Sequence, residues 1–573
     1  LEVQLKGSYN SYFTQYKDRS SNYPRYQPFF KVDAVDSPSQ LGPEEDSTIV
    51  YRKIGRSGIL GYSESYSRDR DWYAEGRLEY QRGFSGHNFK GLLLYSQSKD
   101  FYPGSFTDIP RKLVSTVGRI NYNYEGRYLA EFSMGYNGSE NFAKGSRFGF
   151  FPAGSVGWIV SKESFMEDVE FLDFLKLRAS YGITGSDTGI GRFLYLPAQY
   201  NRDAAGYNFG YDVPQNKEGA SEGALGNPGV TWETATKQDY GIDVRVFDNQ
   251  LDVSLTYFHE MREDILTTLN TVPDYVAADF PAVNVGQVEN QGYEAELTWE
   301  QDLGDFRYSI GGNVTYTRNK VLEQSEPARN EPYQRRTGQP VGQQFGYVFD
   351  GYYTEEEVEM IGNGVADPAW PVKEGYLKFK DLNGDGVINA DDQRAVGYSE
   401  HYPEYSIGSN MNFGYKNVGL SMTWSAALNF SERIQYAPYQ NPFGGGRNFS
   451  IMEWQWEGRW TEEKAENGGN IEYPRFTLAD FQQRNNKNAD FWMADASYLR
   501  LKNIQLSYSL NEGFLKGLGA GLKEAMFYVS GYNLLTFSPM MDKYTIDPEQ
   551  NALNFQAQYP VMKTYRFGVE LKF

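Results

Sequence analysis

Large apolar and small or polar side chains alternate along most of this chain with a period of two residues. Between positions 128 and 136, Tyr128, Ala130, Phe132, Met134 and Tyr136 share one phase, and Glu131, Ser133 and Gly135 share the other. Phe306, Tyr308, Ile310, Val314 and Tyr316 stand against Arg307, Ser309, Asn313 and Thr315. Leu420, Met422, Trp424, Ala426 and Leu428 stand against Gly419, Ser421, Thr423 and Ser425. Stretches 251–257, 293–299 and 405–413 keep the same rhythm. Successive side chains of a strand point to opposite faces, so each stretch predicts a strand with one greasy face and one wet face. Roughly 16 to 18 such strands are counted.

The breaks between strands alternate in length. Tight turns fall at 123–126, 247–250 and 416–417; long segments rich in Gly, Pro, Asn, Asp and aromatics fall at 187–230, 266–283, 320–400, 432–490 and 538–561. Short turns at one end and long loops at the other are typical of large antiparallel transmembrane β-barrels, the short turns being periplasmic. Loops this long are rare in compact soluble domains and are usually functional. The chain also stops on an aromatic in the apolar phase, with Tyr565, Phe567, Val569, Leu571 and Phe573 on one face. Gram-negative outer-membrane barrels commonly end this way, which makes Phe567, Val569, Leu571 and Phe573 a candidate assembly signal.

Composition sharpens this picture. Mean hydropathy is −0.62, and no apolar run approaches the ~18 residues of a membrane helix. A barrel needs none, because half its strand residues face water. Aromatics reach 16% with 46 Tyr, a residue suited to a membrane–water boundary. The net charge of −20 argues against a nucleic-acid partner. With no cysteine and only His87, His259 and His401, in unrelated contexts, neither disulfides nor a His-based catalytic set or zinc site is expected. Positions 1–9 are already in strand alternation, without a signal-peptide pattern. Either a signal and more have been removed, or the chain, 1–573, is one piece of a longer polypeptide. If the intact barrel has more strands than this chain supplies, the remainder comes from preceding sequence, since in lipid a spanning sheet must close.

One loop segment carries its own chemistry. Within region 320–400, positions 381–392 place Asp381, Asn383 and Asp385 at positions 1, 3 and 5 of an EF-hand-like loop. Gly386 falls at the sharp turn, the Val387 carbonyl at position 7, Asn389 at 9 and Asp392 at 12. The spacing wraps hard oxygens around one point and predicts a structural Ca2+; an Asx-rich turn that binds nothing is the alternative. Phe345, Tyr347, Tyr352, Tyr353, Trp454 and Trp456 are candidates for contact with a substrate or a lid protein, or for packing the loops together. Gly338-Gln-Pro-Val-Gly342 reads as backbone turning back towards the sheet. Glu355, Glu356, Glu357 and Glu359 read as a solvated helix face, and Arg335-Arg336 as loop salt bridges or an anion contact.

Eight segments, in order, resemble the SusC family of TonB-dependent transporters of Bacteroidetes, which includes RagA-like oligopeptide importers. They lie at 121–129, 146–158, 175–185, 227–234, 284–294, 338–347, 381–386 and 497–503. The resemblance implies an outer-membrane barrel of 22 strands when intact, of which this chain supplies the C-terminal part. It implies a SusD-like surface lipoprotein as lid and a dimer of such pairs. It also implies TonB acting through a plug that this chain does not contain. The implied activity is import of a glycan or oligopeptide, with no covalent chemistry. A passive porin or adhesin barrel is the alternative, as is, further off, a secreted calcium-dependent β-sandwich acting on glycans.

Overall fold

A computed structural model describes residues 1–21, 25–31, 48–54, 58, 60–101, 109–189, 191–197, 201–202, 206–209, 215–271, 280–400, 402–435, 437–440, 442, 450–476, 487–510, 522–550 and 561–573. Sixteen strands among them form one sheet, each beside its neighbour in sequence. They are β1 (Glu2–Ser20), β2 (Gly61–Phe84), β3 (His87–Phe101), β4 (Arg111–Tyr124), β5 (Tyr128–Ser139), β6 (Phe148–Ile159), β7 (Leu172–Ser186) and β8 (Glu233–Val246). There follow β9 (Leu251–Thr267), β10 (Val283–Leu303), β11 (Phe306–Glu323), β12 (Tyr405–Tyr415), β13 (Val418–Leu428), β14 (Tyr498–Leu510), β15 (Glu524–Phe537) and β16 (Thr564–Lys572). The count agrees with the alternation pattern.

The chain divides into two compact bodies. The first comprises Leu1–Glu79, Leu93–Thr116 and Asn137–Glu140. In it, β1 pairs along its whole length with β2, from Glu2 opposite Glu79 to Ser20 opposite Gly61. The second comprises Tyr80–Leu92, Val117–Tyr136 and Asn141–Phe573, and holds every element discussed below.

Most connections in the second body follow the expected alternation, with 160–171 and 511–523 longer than the other members of the short series. Residues 85–86, 247–250, 304–305 and 416–417 make tight turns, whereas 187–232, 268–282, 324–404, 429–497 and 538–563 are long. Ser85 (φ 45°) and Gly86 (φ 84°) both take positive φ. That is the two-residue type I′ geometry whose twist matches that of the flanking strands.

The apolar phase is on the surface. Tyr293 is 61% exposed, Trp299 45% and Leu506 53%, although all lie within the sheet. A soluble sheet hides such a face; in hydrocarbon the face is at no disadvantage. Tyrosines bound it at the long-loop end: Tyr240, Tyr257, Tyr293, Tyr316 and Tyr405 are consecutive cross-strand neighbours on β8 to β12. Ring centroids in this row lie 4.8 Å (Tyr316–Tyr405) to 6.5 Å (Tyr240–Tyr257) apart where they touch. At the turn end Phe306 faces Tyr415, and Val418 faces Tyr508. From Tyr405 to Tyr415, at about 3.4 Å per residue and a tilt near 40°, the band is about 26 Å tall. That is the height of an outer-membrane apolar belt between two aromatic girdles.

The other face is polar and internally paired. The Arg178 guanidinium on β7 donates to Asp243 Oδ1 on β8 at 3.4 Å and to Thr256 Oγ1 on β9 at 2.6 Å. Ser180 donates to Asp239 at 2.9 Å. Among the described residues no helix is long and apolar enough to cross a membrane.

Candidate functional site

Three long loops converge at the end marked by the tyrosine row. Tyr347, Leu377, Phe379 and Ile388 from 324–404 pack with Ile434, Tyr473 and Trp492 from 429–497, and with Met540, Tyr544 and Ile546 from 538–563. One buried core thus draws on all three segments. Backbone bonds stitch it: Tyr347 N donates to Asn488 O at 2.9 Å, and Asp490 N donates back to Tyr347 O at 3.0 Å. The Asp490 carboxylate accepts from Phe349 N at 2.8 Å. Burial nevertheless holds its pKa above the usual carboxylate range, against the backbone N–H bonds that lower it. Trp454 meets Tyr544 edge-on at 5.3 Å and Tyr473 at 5.6 Å.

The aromatics singled out from the sequence fall into two groups. Phe345, Tyr347 and Tyr353 are buried, and Tyr352 and Trp454 pack against the loop core. Burial, with Glu357 and Asp367 nearby, pushes Tyr353 up to about 12, and burial raises Tyr347, Tyr352, Tyr473 and Tyr544 as well. Trp456 differs. It is 53% exposed on the helical turn Glu453–Gly458, with the Arg459 guanidinium 3.4 Å from its ring centroid. His401 lies outside the described residues. His87 stacks near Tyr122, and His259 Nε2 lies 2.9 Å from Glu289, on separate strands.

Segment 381–392 folds as a compact loop around its own oxygens. Asp381 accepts from Gly384 N at 2.7 Å and Gly386 N at 2.8 Å; Asn383 accepts from Asp385 N, and Asp385 from Val387 N. Gly386 sits at φ 82°, the left-handed backbone that the sixth position of such a loop requires. Asp392 is fully buried, and its two oxygens accept from Leu382 N and Asn389 N at 2.7 and 2.8 Å. Each carboxylate oxygen has a second lone pair, so these bonds leave coordination capacity. Among the described residues no three His, Asp or Glu side chains gather as a metal centre. Half of the proposed ligand set here is Asn and backbone carbonyl.

The structure adds residues that the sequence did not single out. Glu326 accepts from Arg336 N and Thr337 N at 2.8–3.0 Å and from the Arg329 guanidinium at 3.0 Å. Burial pushes this carboxyl up, but those donors outweigh it and bring the pKa down to about 2. Arg500, buried at the start of β14, grips Asp547 through both oxygens at 2.6 and 2.7 Å and Glu549 at 2.6 Å. Asn284 binds Thr231 through N–H and C=O, both at 3.0 Å, beside buried Trp232 and Phe151. This moors loop 187–232. The 338–342 turn does return to the sheet, since Gly338 N donates to Val321 O and Val321 N to Gln339 O. Glu357 caps the turn Glu355–Glu359 and meets Lys378 at 2.7 Å; among the described residues Arg335 and Arg336 make no ion pair.

An antiparallel sheet with one exposed apolar face between aromatic rows, one polar face and loops gathered at a single end defines the wall of a membrane β-barrel. A family model described as TonB dependent receptor-like, beta-barrel matches residues 1–534, and the chain belongs to that family. TonB-dependent receptor P3 of Formosa agariphila is 28% identical, over 93% of this chain and 55% of its own length. The TonB-dependent receptor SusC of Bacteroides thetaiotaomicron is 26% identical, over 80% of this chain and 44% of its own. The chain thus spans about half the length of these relatives. The structure of the RagAB peptide transporter shares the fold with a TM-score of 0.69 at 18% identity, covering all of this chain and 60% of that one.

Proposed function

We propose that this chain is the barrel-wall portion of an outer-membrane, TonB-energised importer of nutrient oligomers, glycan or peptide. The supporting observation is the joining of an exposed apolar belt to a packed cap of three loops at one end. A bare porin wall does not need that cap. Further strands and a plug come from the rest of the protein, in keeping with the greater length of the relatives. A SusD-like lipoprotein acts as lid over the capped end, with pairs assembling as dimers, and exposed Trp456 is the aromatic best placed to meet it. In cells carrying the full-length receptor, uptake of its oligomer should cease when TonB is deleted. Uptake that persists without TonB would support the passive-porin reading instead.

Asp381, Asn383, Asp385, the Val387 carbonyl, Asn389 and Asp392 hold a calcium ion in this proposal. The ion braces the cap and supplies charge neutralisation, with no step in transport. Support comes from the loop's fold and from Gly386 at its sharp turn. Calorimetry should show calcium uptake that Asp385→Ala removes, together with a lower melting temperature of the cap in chelator. No uptake by the native receptor would retire the site.

A further inference from the structure

The loop end holds a cavity of about 410 Å³ that the proposed function does not use. It lies where β9, β10 and β11 meet the 338–342 turn. Leu266, Val288, Val321, Pro340 and Phe345 form an apolar wall, with Arg336 and Gln324 among the polar residues around it. Arg336, exposed at the rim, stacks on Phe345 with the guanidinium 4.9 Å from the ring centroid. Among the described residues no acid pairs with it. A guanidinium held over a ring by cation–π attraction still has N–H groups to offer a planar two-oxygen acceptor. Gln324, also lining the cavity, has its side-chain nitrogen buried without an acceptor.

Among the described residues, the two acids that flank Gln324 in sequence hold backbone N–H groups. Glu326 holds the backbone N–H of Arg336 and is matched by Arg329, so it fixes the arginine's place without neutralising its side chain. Glu323 turns to the N–H groups of Gln324 and Ser325 at 3.1 and 2.9 Å. An arginine with no acid partner among the described residues, lining the same cavity as an orphan amide N–H, calls for a ligand group that only accepts. The net charge of −20 gives the protein no general attraction for anions, so such a group must be met locally.

We propose that this cavity is a subsite for a carboxylate-bearing residue of the imported oligomer, gripped by Arg336 and Gln324 with its carbon skeleton on Phe345. The inference rests on the import reading and names the chemical class of its cargo. A sugar acid and an acidic peptide side chain share this chemistry, and the test separates them.

Full-length receptor in detergent at low salt is titrated calorimetrically with two matched pairs. One is digalacturonate against neutral digalactose; the other is end-capped Ala-Glu-Ala against Ala-Gln-Ala. The native receptor should favour the acidic member of one pair at least tenfold, and that pair identifies the source. Arg336→Ala should remove the preference, a loss of roughly ten- to a hundredfold for a hydrogen bond to a charged group. Arg336→Lys, which keeps the charge and the fold, should retain part of it. Arg335→Ala, one residue away and not lining the cavity, should leave it intact. Equal or absent binding of both members in both pairs overturns the subsite, as does equal loss in Arg335→Ala. Binding at equilibrium needs no energy source, so failure of TonB-driven uptake would count against the import reading alone.

Discussion

Arg500 lies on the polar phase of β14 with its side chain 1% exposed, and its carboxylate partners lie 47 and 49 residues further on. Removing one side of a buried ion pair leaves charge uncompensated, at a cost of about 3–5 kcal/mol. Arg500→Met should therefore free segment 538–550, seen as faster amide exchange there. The triple variant with Asp547→Leu and Glu549→Leu should recover much of the protection. Glu326 gives a pH signature. Its folded pKa of about 2 lies below the ordinary 4.5, so its contribution is complete above about pH 4.5 and is lost as pH falls towards 2. After correction for intrinsic rates, exchange of the Arg336 and Thr337 amides should rise across that window, and Glu326→Gln should remove the dependence. Neither residue was legible in the sequence. Pairing across 47 residues, or with two backbone N–H groups, leaves no periodic trace. Tyr347 and Trp454, by contrast, stood out by type, but their packing is set by loops distant in sequence.

At the scale of elements, the strands were the legible part. Period two is local, so Tyr293, Leu297 and Trp299 announced their common face without any knowledge of neighbours. The turns at 247–250 and 416–417 followed as well, because so few residues separate the flanking strand patterns. The cap was not legible: its core joins short pieces from three loops, and none repeats at a helical or strand period. The compact turn at 381–392 was readable because its Asp and Asn side chains sit within twelve consecutive positions. Depth within the belt gives a test of the strands. Leu297→Arg, near mid-belt, should weaken folding into lipid vesicles by about 2–4 kcal/mol, whereas Tyr293→Arg, in the girdle row, should cost about 0–1 kcal/mol. Equal costs would show that this face does not meet a bilayer.

For the whole molecule, a lipid-facing wall explains why apolar strand residues are exposed, why tyrosines line up on five strands, and why long loops share one end. This chain carries no cysteine, so the most direct measurement needs only any cysteines elsewhere in the receptor replaced first. Single cysteines placed in turn at positions 293–299 of the reconstituted receptor can carry a nitroxide label. Labels at Tyr293, Ala295, Leu297 and Trp299 should be relaxed by lipid-dissolved oxygen. Labels at Glu294, Glu296 and Thr298 should be relaxed by a water-soluble nickel chelate, in strict alternation. Uniform access to the chelate along the strand would contradict a membrane-spanning wall and the transport reading built on it.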